Sequence, residues 1–211
     1  MISSIPRLSR AELPVTTVEL ARWLIGKTLV HGSADGLTSG RIVETEAYVE
    51  GDASSHAFRG PTQRNRSMFL RHGHAYVYFI YGSWYALNIS AEAVGVGAGV
   101  LFRALEPLEG VALMQERRRT SSLVDLCRGP GRLATAMAID RQLDGLDMCG
   151  DGPLWLGGPV SVVGPIGESV RIGISKEAHR VLRFFERGSP FVSGPKRLLS
   201  QVTDEGNKQP V

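Results

Sequence analysis

Apolar and polar positions follow two periods along this chain. In VTTVELARWLIGKTLV (residues 15–30) Val18, Leu20, Ala21 and Leu24 recur at helical spacing up to Gly26, and Leu29 and Val30 begin a strand. SADGLTSG then supplies turn residues. RIVETEAYV (residues 41–49) alternates with period two, which puts Ile42, Glu44, Glu46 and Tyr48 on one strand face and Val43, Thr45, Ala47 and Val49 on the other. With the apolar face in the core, two carboxylates and a tyrosine line up on the opposite side. Ala75–Tyr81 and Trp84–Ser90 are strand-like runs around Gly82-Ser83, and glycine first in a two-residue loop predicts a type II′ hairpin. A strand over Val100–Ala104 follows a glycine-interrupted turn. ALMQERRRT and RGPGRLATAMAID read as helices; GPLWLGG, VRIGIS and RVLRFFERG read as further strands. Residues 1–13 form a short arm and residues 194–211 a polar tail.

The length of 211 residues suits one domain, expected over residues 1–211. The net charge of +3 permits an anionic partner without requiring one. How that charge is made is more specific: 20 Arg stand against 4 Lys, and guanidinium forks suit phosphate oxygens and flat rings. A GC-rich coding sequence accounts for the same bias. Cys127 and Cys149 have neither disulfide nor C-x-x-C spacing. No segment has the length of a membrane span and no apolar leader opens the chain, so the expected location is the cytoplasm.

Four of the five tyrosines lie within YVYFIYGSWYALNIS. Tyr76 and Tyr78 share a strand face and are either core or a platform for a flat ring. Tyr81, just before the turn, either rests on its own scaffold or wedges into stacked bases. Glu44 and Glu46, roughly 6–7 Å apart as same-face neighbours, are the best general-base candidates, though an E-x-E strand is also compatible with plain solvation. The loop from His56 to His72 carries Arg59, Arg64, Arg66 and Arg71, positioned to meet phosphates. His72, His74, His56 and Asp52 form a weak alternative metal set. No phosphate-cradle or dinucleotide motif is present, so no cofactor is expected. The run Arg117–Arg119 reads as a solvated helix face, with a phosphate contact as the alternative.

Taken together, RIVETEAYVEG with His56 ten residues after Glu46, RNRSMF, YVYFIYGSWYALNIS, VLFRALEPLEG and RFFERGSPFVS resemble the 3-methyladenine (alkyladenine) DNA glycosylases of the mammalian type, in order over residues 17–193. The resemblance implies a monofunctional enzyme that flips 3-methyladenine, 7-methylguanine, hypoxanthine or ethenoadenine from duplex DNA and hydrolyses the N-glycosidic bond, without lyase chemistry. It implies Glu46 as general base, with Arg103 beside the water and the backbone carbonyl of Ile172 helping to hold it. It also implies Tyr48, His56, Tyr78 and Asn88 as the base pocket and Tyr81 as the residue that fills the vacated stack. The implied fold is a single α+β domain: a curved, mainly antiparallel sheet, flanking helices and a hairpin that enters the minor groove. A monomer on double-stranded DNA, with no cofactor, metal, membrane or obligate protein partner, is expected. A catalytically weak lesion-binding module of the same fold is the alternative. Ser83 and Trp84 at the hairpin depart from the mammalian pattern.

Overall fold

In the computed structural model, residues 5–80, 82 and 84–199 are described. Tyr81 and Ser83 lie outside them. The strands are β1 (Thr28–Ser33), β2 (Gly36–Tyr48), β3 (Ala75–Ile80), β4 (Trp84–Ser90), β5 (Gly99–Pro107), β6 (Leu154–Gly157), β7 (Ile166–Val170) and β8 (Val181–Glu186). They form one curled antiparallel sheet in the order β3-β4-β5-β2-β1-β6, with β8 paired to both β2 and β7. The helices are α1 (Thr17–Trp23), α2 (Val111–Arg118) and α3 (Pro130–Ala136). The expected α+β class and antiparallel sheet are both present. Among the described residues no helix is long and apolar enough to cross a membrane.

β2 organises the sheet. Its first half lies between β1 and β5; from Glu44 onward β8 replaces β1 as the neighbour. One strand thereby serves two partners on one edge, and the sheet curls at the exchange. α1 packs on the inner side through Leu20 and Ala21, and Thr45 donates to the Ala21 carbonyl at 2.8 Å. The turn after α1 needs a left-handed residue, supplied by Gly26 at φ +85°. The Gly26 N–H bonds the Ile42 carbonyl at 2.7 Å and ties the helix end to β2.

Several sequence-based expectations are corrected. β2 starts at Gly36, so Leu37–Gly40 pair with β1 instead of forming a turn. The hairpin register sets Ile80 opposite Trp84 as its last pair, and the two-residue turn expected at Gly82-Ser83 falls partly outside the described residues. VRIGIS is not a strand: β7 ends at Val170, and the chain from Arg171 leaves the ladder. The N-terminal arm is docked: Leu8 and Leu13 are buried and Arg7 bridges to Gly157.

The largest correction concerns the face of Glu44 and Glu46, which is not a solvent face. Both carboxylates are fully buried. Two irregularities break the alternation. Ile42 pairs with Leu105 and Glu44 with Ala104, leaving Val43 as an extra residue on β2; Thr45 pairs with Phe102, leaving Arg103 as an extra residue on β5. Bulges of this kind re-aim side chains. Ile42 consequently joins Ala47 in the main core, while Val43 packs with Ala104, Phe185 and Val192 in a second cluster.

Candidate active site

The register builds the site. Across β8, β2, β5, β4 and β3 the paired residues Arg183, Glu46, Leu101, Asn88 and Tyr76 form one row. Directly paired residues share a sheet face. Over this row opens a cavity of about 300 Å³ lined by Tyr48, His56, Tyr76, Tyr78, Asn88, Leu101, Arg103 and Ile172, among others. Apart from Glu46, which contacts three of the lining residues, every catalytic and pocket residue expected from the sequence and described here lines this cavity.

Glu46 is held on both oxygens. Oε1 accepts the Ile172 N–H at 2.7 Å and lies 3.2 Å from Nη1 of Arg103; Oε2 accepts the Tyr48 hydroxyl at 3.1 Å. Burial pushes its pKa above the ordinary carboxylate value, against the pull of Arg103 and the Ile172 amide. Burial and the adjacent Glu46 charge push the Tyr48 phenol up, so it stays a donor. Arg103 is itself raised: the charges of Glu46 and Glu44 outweigh the burial that favours its neutral form. For the Glu46–Arg103 pair the decisive direction is the rise at Glu46, because Arg103 divides its attraction between two carboxylates.

The pocket wall is aromatic. Tyr76 and Tyr78 stack with centroids 5.2 Å apart and 26° between planes, and His56 meets Tyr78 edge-on at 4.4 Å. His56 Nδ1 and the Tyr76 hydroxyl are hydrogen-bonded at 2.9 Å. His56 keeps an exposed edge, yet packing of its ring, with Arg64 nearby, holds the imidazole below its ordinary pKa. Asn88 is buried and donates to the Tyr76 carbonyl at 3.3 Å.

Behind Tyr48 sits a buried ion pair. Arg171 Nη1 donates to Asp52 at 2.5 Å and to the Ala47 carbonyl at 3.0 Å, and its guanidinium lies 4.6 Å from the Tyr48 ring centroid. Because Arg171 precedes Ile172, this pair anchors the segment whose amide reaches Glu46. Asp52 is thereby committed. His74 Nδ1 lies 2.9 Å from the Arg71 carbonyl, and among the described residues no three His, Cys, Asp or Glu gather as a metal set would.

The sequence profile of the methylpurine-DNA glycosylase (MPG) family matches residues 11–190. The chain belongs to that family. A relative from Mesorhizobium japonicum described as "Putative 3-methyladenine DNA glycosylase" is 59% identical over 92% of this chain and 93% of its own. One of the same description from Paraburkholderia phytofirmans is 56% identical over 91% and 90%, and one from Methanoculleus marisnigri 45% over 84% and 93%.

In this methylpurine-DNA glycosylase family member the cavity rim is basic. Arg64 lines the cavity; Arg59 and Arg64 line a second hollow behind His56; Arg66 is exposed but lines neither. A further hollow shares Arg103, Pro130 and Ile172 with the main cavity and brings Arg118, Arg128 and Arg132 beside Trp84. Sequence reasoning singled out Arg118 within its run but gave no role to Arg128 and Arg132, which only the fold brings beside it. It also read Arg117 and Arg118 as solvated, whereas Arg117 donates to the Ala136 carbonyl and Arg118 to the Leu126 carbonyl.

Proposed function

We propose that this protein is a monofunctional glycosylase that releases damaged purines from duplex DNA with Glu46 as general base. The observation that carries this reading is a buried carboxylate fixed on both oxygens by Ile172, Arg103 and Tyr48, three residues that line the aromatic cavity. The four lesions are 3-methyladenine, 7-methylguanine, hypoxanthine and ethenoadenine. The relatives' shared description supports the first.

A base inside the stack offers no access to its sugar carbon, so the nucleotide is extruded at a cost of a few kcal/mol, roughly. The purine enters beside Tyr78, Tyr48 and His56. The C1′–N bond breaks and its electron pair leaves with the purine, which is easiest where alkylation has already made the base cationic. Ionised Glu46 stabilises the positive charge growing on the sugar. It then takes one proton from water as the water oxygen bonds to C1′. The products are free purine and an abasic sugar. Arg103 and the Ile172 backbone flank the water, and the arginines at 59, 64 and 66 grip phosphates. Among the described residues no lysine lines the main cavity, so neither a Schiff base nor strand nicking is expected. The protein acts as a monomer in the cytoplasm, with no metal or cofactor. Single-turnover purine release from lesion duplexes in the presence of EDTA tests the reading. Tight lesion binding without release would turn it into a binding module.

Two residues are assigned to recognition. Tyr81 fills the gap left by the flipped nucleotide. Tyr81→Ser is expected to cost about 1–3 kcal/mol of lesion affinity and to leave undamaged-duplex affinity unchanged; equal lesion affinity in a binding titration would remove the role. Asn88 crowds the amino group of normal guanine. Asn88→Ala is expected to lower the lesion-to-guanine release ratio by about 10- to 200-fold, and an unaltered ratio would contradict it.

A further inference from the structure

Glu44 lines none of the hollows around the site, yet it is fully buried two residues before Glu46. Its Oε1 accepts from Nε of Arg103 at 2.8 Å and from Nε of Arg183 at 2.7 Å, and its Oε2 accepts the Ser193 N–H at 2.6 Å. Arg183, also fully buried, spends its other nitrogens on the Ser169 hydroxyl and the Ser193 carbonyl, both at 2.8 Å. Arg103 completes the chain with Nη2 toward the Ser193 hydroxyl at 3.3 Å and Nη1 toward Glu46 at 3.2 Å. The charges alternate by contact: Arg183, Glu44, Arg103, Glu46. Buried ions persist only when paired in this way.

The distances differ along that chain. Arg103 binds Glu44 at 2.8 Å and Glu46 at 3.2 Å. The tighter contact is with the carboxylate that does no chemistry. Without Glu44, Arg103 would be a dedicated counterion for Glu46, would draw its proton affinity down and would weaken it as a base.

We propose that Glu44 is a positioning residue that captures the Nε edge of Arg103, so that Glu46 meets a single guanidinium nitrogen and keeps the basicity of a carboxylate with a shared counterion. This rests on the reading of Glu46 as the base. The groups facing Glu46 are Glu44 and Tyr48 from its own strand, Arg103 from β5 and Arg183 from the paired position of β8. Arg171, neutralised by Asp52, lies over the Tyr48 ring from the segment after β7. Glu44's charge also pushes the Glu46 pKa up, in the direction the proposal needs.

The test is the pH dependence of single-turnover release from a 7-methylguanine duplex, whose leaving purine is already cationic. Wild type, Glu44→Gln, Arg183→Met and Glu46→Gln are compared. Glu44→Gln removes a negative charge and frees Arg103, so the acid limb moves to lower pH and the plateau falls. Arg183→Met removes a positive charge and moves the limb to higher pH. Each displacement is expected to be on the order of one pH unit, tenfold in the ionisation constant. Two limbs that stay at the wild-type pH, or move in the same direction, overturn the proposal, since a merely structural role lowers amplitude without opposite shifts. Should Glu44→Gln fail to fold, Glu44→Asp keeps the charge but shortens the reach, and the same downward shift is required of it. Release by Glu46→Gln with the wild-type limb would sink the general-base reading itself. Loss of release in Glu46→Gln with unmoved limbs in the others sinks only the role of Glu44.

Discussion

Glu46→Gln is expected to slow base release by roughly 10²–10⁴-fold or more, while folding and duplex affinity stay near wild type. The replacement is nearly isosteric. Its carbonyl oxygen still accepts from the Ile172 amide, and its NH₂ meets the Tyr48 hydroxyl, which can turn to accept. Arg103 keeps Glu44 as a counterion at 2.8 Å, so no cation is orphaned. What disappears is the carboxylate proposed to take a proton from water. Release within a few-fold of wild type would show that another group is the base. Glu44, two residues earlier on the same strand, would be the next carboxylate to test.

Asp52→Ala is expected to destabilise the fold by about 3–5 kcal/mol, the usual cost of leaving one member of a buried pair uncompensated. Both side chains of the Asp52–Arg171 pair are fully buried, so solvent screening offers no relief. Nη1 carries Arg171's hydrogen bonds to Asp52 and the Ala47 carbonyl, and Nε and Nη2 find no partner among the described residues. The loss reaches the site, because Arg171 supports the Tyr48 ring and precedes the amide that holds Glu46. Base release should fall more than affinity for undamaged duplex. A denaturant midpoint giving a loss under about 1 kcal/mol would contradict this, since that is the range of exposed pairs. Acid should produce the same defect reversibly. Burial alone would raise the Asp52 pKa, but the bonds from Arg171 and Ser54 outweigh it and hold it below the ordinary value. Its contribution is therefore present above the unfolded carboxyl value and is lost as pH falls through the lower folded one.

What the sequence made legible follows from periodicity. The hairpin and the E-x-E strand were readable because Ala75–Ile80 pairs with Trp84–Ser90, and Thr45–Tyr48 with β5, without a break in register. The bulges at Val43 and Arg103 were not, because a one-residue insertion between partners leaves no mark on either strand read singly. That is why Ile42 was placed on the face of Glu44. VRIGIS alternates like a strand, but Arg171 and Ile172 leave the ladder for Asp52 and Glu46, 119 and 126 residues away in sequence. The arginine excess divides in two. Arg103, Arg171 and Arg183 neutralise interior acids, and only tertiary structure brings those acids to them. Arg59, Arg64 and Arg66 stay exposed, as a phosphate-gripping role requires. The family resemblance brought the pocket residues together before any coordinates, but it gave no role to Arg183 or Arg171.

The central claim is that a buried, elevated carboxylate at Glu46 takes the proton from water. Its most direct test is the acid limb of single-turnover release from a 7-methylguanine duplex, measured for wild type and Glu46→Gln in EDTA. Wild-type release should fall as pH drops through a value above the ordinary carboxylate range, because burial favours protonated Glu46. The Glu46→Gln profile should be low and lack that limb. A limb that survives in Glu46→Gln, or wild-type release that is flat down to the ordinary carboxylate range, would contradict the account.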